Sequence, residues 1–131
     1  MPLAATRFGA FGALLLASGC PSASSEKSEA AVVSRAVTGL RDADNAQKRE
    51  LLAALRATPC ETADVCAVRS ACLAAYELHV DSLTHLADVA KRDAAADAAA
   101  LDAVKAELER ARELASKCTD LQGEMVRRYK L

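Results

Sequence analysis

The chain has 131 residues, of which 52% are hydrophobic and only 3% aromatic, with no tryptophan and a formal net charge of −1. That length suits one small domain, and the mixing of charges without a basic stripe excludes the electrostatic footprint of a nucleic-acid binder. Tyr76 and Tyr129 are the only aromatics beyond Phe8 and Phe11, so the core is Leu, Val and Ala. Such a core favours closely packed helices over a roomy, large-walled pocket.

The opening "MPLAATR" carries one positive charge, Arg7, and is followed by a mostly apolar run from Phe8 to Ala17. That run is too short to span a bilayer, which takes about 20 residues, and it fits the hydrophobic region of a secretory signal. Small residues Ser18 and Gly19 lead into Cys20. The stretch "LASGC" resembles the lipobox of bacterial lipoproteins, with Ala17 where the family usually has Leu. The resemblance implies that residues 1–19 are a signal peptide. It also implies that Cys20 is acylated and becomes the mature N-terminus. Two or more acyl chains hold a protein stably on a bilayer without crossing it. Pro21 stands where such lipoproteins carry Asp for inner-membrane retention, which implies an outer-membrane protein facing the periplasm. The small polar stretch "PSASSEKSE", Pro21 to Glu29, is expected to be a flexible tether. The domain division is therefore 1–19 signal, 20–29 lipidated cysteine and tether, and 30–131 helical domain.

No strand alternation appears, and three helical segments are predicted in chain order. The first covers about 26–57, with Val33, Val37, Leu40, Leu51 and Leu55 at near-helical spacing and Gly39 as a candidate bend. The second covers about 62–91, where Val65, Cys72, Tyr76, Leu83, Leu86 and Ala90 share a face. Thr62 is its candidate N-cap. The third covers about 97–128, where Leu101, Val104, Leu108, Ala111, Ala115, Cys118 and Met125 follow alternating three- and four-residue steps. Each would be about 45–48 Å long. An all-α, up-down-up bundle, or long helical hairpin, follows. Residues 92–96 are the weak turn: they contain neither Gly nor Pro, and Asp93 or Asp97 is the candidate cap.

Once Cys20 is given to lipid, Cys60, Cys66, Cys72 and Cys118 remain, an even set suited to two disulfides in an oxidising compartment. From a helix start near Thr62, Cys72 lies about 15 Å along the axis, beyond the reach of Cys60. Cys66 and Cys72 are about 9 Å apart in rise, too far for a bond that needs Cα atoms within about 7 Å. The preferred pairing is therefore 60–66 and 72–118. An antiparallel turn brings Cys72 level with Cys118, whereas one unbroken helix would hold them about 69 Å apart.

In this three-helix scheme the closing "RRYK" lies far from the membrane, on the order of 50 Å. Arg127, Arg128 and Lys130 there complement the helix dipole. The end "LQGEMVRRYKL" also resembles the tail of Braun-type murein lipoproteins, whose terminal lysine is joined to peptidoglycan. Here Leu131 follows Lys130, and the four extra cysteines depart from that pattern. The cysteine spacing with the later "CTD" and "VRRY" resembles small myxobacterial lipoproteins over about residues 58–130. That likeness implies a compartment and no activity.

Chemistry-bearing residues are sparse. "HVDSLTH" sets Asp81 four before His85 and Ser82 three before it, so Asp81 and His85 can pair on one helix turn. A mid-helix surface supplies no oxyanion donors. The Cys-x5-Cys spacings are not those of zinc loops. Glu113–Lys117 and Glu124–Arg128 have the spacing of surface pairs. The sequence thus favours a lipid-anchored, non-enzymatic envelope module without cofactor or metal, with a bilayer and an envelope protein or the cell wall as partners. The alternative is a small-ligand or metal-binding lipoprotein using the Cys72 and His79 region.

Overall fold

A computed structural model describes residues 22–92 and 97–131. Four α-helices follow one another: α1 Ala23–Asp42, α2 Asn45–Ala57, α3 Ala63–Ala90 and α4 Ala98–Tyr129. Among the described residues there is no strand.

Helix α1 starts within the expected tether. Ser22 is its N-cap, with Oγ accepting the Ser25 N–H at 3.4 Å, and Glu26 lies in the first turn. The serines that suggested slack thus supply a cap and first turn. Ala30, Val33, Val37 and Leu40 give α1 a fully buried stripe.

The expected helix over 26–57 is broken. Ala43 and Asp44 are extended, with ψ 152 and 151, and the chain reverses there rather than at Gly39. Residues 42–45 are Asp-Ala-Asp-Asn, side chains that compete with helical hydrogen bonding and favour helix ends. Lys48 closes the corner. Its Nζ donates to the carbonyls of Leu40 at 3.2 Å, Arg41 at 3.4 Å and Ala43 at 2.5 Å, satisfying acceptors that the end of α1 leaves open. Folding back lets α2 bury Leu52 and Leu55.

The contacts set the directions. Glu29 near the start of α1 meets Glu61 and Thr62, so α2 returns to the end from which α1 set out. Arg49 of α2 bonds Thr84 at 2.7 Å and Arg56 pairs with Glu77, so α2 and α3 are antiparallel. Asp64 meets Arg128 and Tyr129, and His85 meets Glu107, so α4 runs back along α3. The order is up-down-up-down, one strut more than the predicted three.

Cys60 is bonded to Cys66, with Cα atoms 5.4 Å apart, and Cys72 to Cys118, with Cα atoms 4.8 Å apart. Cys72 and Cys118 are fully buried within the core, beside Val68, Ala75, Tyr76 and Met125.

The helices are unequal. Helices α3 and α4 have 28 and 32 residues, α1 and α2 only 20 and 13. Beyond Glu29, which is level with the start of α3, α1 rises only about 20 Å, whereas α3 rises about 42 Å. The α3–α4 hairpin therefore projects past the α1–α2 pair.

Candidate functional site

Three regions carry the polar chemistry: the end where α1 begins, the seam between α1 and α4, and the projecting hairpin. Cys20, with its signal segment, lies outside the described residues. Ser22, two positions on, is the first described residue and stands at the first of these ends.

At that end the Glu29 carboxylate acts across helices. Its Oε1 accepts the Glu61 N–H at 2.6 Å and the Thr62 N–H at 3.1 Å, and its Oε2 accepts the Thr62 hydroxyl at 2.8 Å. Thr62 occupies the N-cap position of α3 but makes no side-chain cap bond, because its hydroxyl is turned to Glu29. Burial pushes the Glu29 carboxyl upward, but the Thr62 hydroxyl and the two backbone donors outweigh it and leave its pKa lowered. Asp64 shows the same balance. Burial raises it, and the Arg128 guanidinium at 2.7 Å and the Tyr129 hydroxyl at 2.9 Å lower it further than burial lifts it.

The C-terminal turn closes this end. Lys27 Nζ donates to the Lys130 carbonyl at 3.2 Å. Arg127, Arg128 and Lys130 therefore sit beside the start of α1 and not at the far end. The extra reversal at 43–44 overturns the distal placement expected for "RRYK". Arg128 is paired with Asp64 and not with Glu124, and Glu113 meets Arg110 at 3.7 Å and not Lys117. Arg128 thus finds its partner on another helix, whereas Glu113 stays within α4 but pairs at a three-residue instead of a four-residue interval.

The seam is a polar cluster around one buried amide. Gln122, 6% exposed, accepts from Arg41 at 2.5 Å and donates to the Ser34 carbonyl at 3.1 Å and to Thr38 Oγ1 at 3.1 Å. Periodicity missed this cluster. Its only sequence signal is a glutamine four residues after Cys118, where the three-four stripe of α4 asks for an apolar side chain.

The helical constellation "HVDSLTH" does not assemble. Ser82 is fully buried, and its hydroxyl donates to the Leu78 carbonyl at 2.7 Å. His85 pairs across the hairpin with Glu107 at 2.9 Å, not with Asp81 on its own helix. The Glu107 hydrogen bond, and then its charge, raise the His85 pKa. His79 moves the other way, lowered by burial and then by the Lys48 and Arg112 charges. Its proposed companion Cys72 is engaged with Cys118, so the two do not form a donor pair in this state.

On the projecting hairpin, Leu86, Val89, Ala90, Ala98 and Leu101 line an open groove of about 260 Å³. Arg92 and Asp97, 3.6 Å apart, mark its outer edge. Asp97 is the N-cap residue of α4 but makes no side-chain cap bond. The other candidate cap, Asp93, lies outside the described residues.

Comparison of the chain with protein-family models, with curated proteins and with solved structures returned no match.

Proposed function

We propose that the chain is a lipid-anchored protein of the bacterial envelope, on the outer membrane facing the periplasm, and that its bundle is a non-enzymatic structural or interaction module. The observation that carries this reading is the "LASGC" segment ending at Cys20, two positions before the cap residue Ser22. Residues Ala23–Glu29 are helical rather than slack. An acylated Cys20 thus seats the bundle close to the bilayer, with its C-terminal turn at the same end. The α3–α4 hairpin then points away, reaching about 40–50 Å from the anchored end. No described helix is long and apolar enough to cross a membrane, which accords with attachment through lipid. In this proposal an envelope protein or the cell wall meets the groove on the projecting hairpin.

The experiment is the intact mass of protein extracted from membranes, beside a Cys20→Ala variant. A chain beginning at Cys20 and carrying acyl mass, with the variant released to the soluble fraction, is the expected result. An unacylated chain that still retains residues 1–19 overturns the reading.

A further inference from the structure

The corner joining α1 to the start of α3 holds a second chemistry. Sulfur atoms of Cys60 and Cys66 and a carboxylate oxygen of Glu29 all lie within 4.8 Å of one another, on half-buried side chains. Sequence spacing alone argues against metal here, because Cys-x5-Cys is not a zinc-loop interval. The third donor comes from another helix, which a search along the chain does not reveal. We propose that reduction of the Cys60–Cys66 disulfide converts this corner into a site for a soft divalent cation, zinc or cadmium, held by two thiolates and the Glu29 carboxylate, with a water in the fourth position.

The geometry suits the donors. At a zinc–sulfur distance of about 2.3 Å, two thiolates on a tetrahedral ion stand roughly 3.8 Å apart. The Cα atoms of Cys60 and Cys66 are 5.4 Å apart, so side-chain rotation alone opens the sulfurs to that separation. The carboxylate is already oriented by the Glu61 and Thr62 N–H groups and the Thr62 hydroxyl. Ordered outer-shell donors of this kind are what hold a metal-binding carboxylate in place. The start of α3 adds the positive end of a helix dipole, which favours thiolate over thiol.

The redox step is balanced by a dithiol reductant. Two electrons and two protons pass to the disulfide; its S–S bond breaks, two thiols form, and the reductant closes its own disulfide. The cation then displaces the two thiol protons to solvent. Reduction is selective by access, since Cys72 and Cys118 are fully buried whereas Cys60 and Cys66 are partly exposed. The core disulfide keeps the bundle closed while the corner changes state. This site is independent of the lipid anchor.

The test is a cadmium titration of the full chain, oxidised and after mild dithiol reduction, followed by the ultraviolet thiolate-to-cadmium band and by cadmium NMR. Alkylation and mass confirm that Cys72–Cys118 remains closed. One ion bound per reduced chain, none per oxidised chain, and release of about two protons on binding are expected. Cys66→Ser abolishes the band, and Glu29→Gln weakens binding at least about tenfold. Far-UV circular dichroism verifies the fold of each variant. If Glu29→Gln loses its fold, the cadmium shift of the unmutated protein decides, because it distinguishes two sulfur donors with oxygen from sulfur alone. Absence of the band after reduction, equal binding to the oxidised chain, unchanged affinity in folded Glu29→Gln, or a shift without oxygen character each overturns the proposal.

Discussion

Glu29 does at residue scale what a local cap does elsewhere. The first N–H groups of a helix need acceptors, and α3 obtains one from a neighbouring helix. Replacement by Gln keeps the size and removes the charge. Glu29→Gln should therefore lower stability at neutral pH by about 1–2 kcal/mol, the range of a partly solvated hydrogen bond to a charged group. The pH dependence has a definite sign. The folded-state pKa of Glu29 is lowered, so its contribution is present above the unfolded carboxyl range and is lost as pH falls through the folded value. Urea unfolding of both proteins from pH 7 into acid should show a gap that is full at neutrality and closes at low pH. A constant gap would assign the loss to packing alone.

At the scale of elements, the reversal at 42–45 reshapes the molecule. Gly39 resembles a hinge in sequence but lies within α1, exposed, with nothing within 4 Å of an added Cβ. Glycine in an exposed helix interior costs about 0.5–1 kcal/mol relative to alanine. Gly39→Ala should therefore raise the unfolding free energy by that much, seen as a higher urea midpoint at unchanged m, and leave the fold unchanged. A loss of stability would place the bend at Gly39 after all. The stripes of α3 and α4 were legible where the bundle covers them, at Val65, Cys72 and Tyr76 and at Val104, Ala111, Cys118 and Met125. Toward the hairpin tip Ala90 and Leu101 of the same stripes are exposed, because nothing packs over them there. The Gln122 seam was not, because Ser34, Thr38 and Arg41 lie more than 80 positions away along the chain. Only packing brings them under the glutamine.

For the whole molecule, the two disulfides act over different distances. Cys72–Cys118 closes a separation of 46 residues and Cys60–Cys66 one of 6. On the chain-entropy account these separations correspond to about 4 and about 2 kcal/mol. Unfolding of Cys72→Ser/Cys118→Ser should thus show roughly twice the loss seen for Cys60→Ser/Cys66→Ser. Burial widens the difference, since the first pair leaves two polar hydroxyls in the core. Equal losses would contradict the chain-entropy account of the two bridges.

The sequence by itself determined the helical class, the middle turns of the apolar faces of α3 and α4, and the disulfide partners. Each follows from rise per residue, side-chain period and the short reach of a sulfur bridge, all properties of a chain over a few turns. The helical start at Ala23 and the break at 43–44 rest on local signals, the Ser22 cap and the Asp-Ala-Asp-Asn stretch, whereas tertiary structure decided the folding back of α2 and the return of the C-terminal turn to the beginning of α1. It also decided the meeting of Glu29 with Cys60 and Cys66. Those outcomes depend on where Leu52 and Leu55 find apolar partners and where the orphan groups of each helix end find donors and acceptors. Such partners come from distant parts of the chain, so they are set only when all four helices pack together.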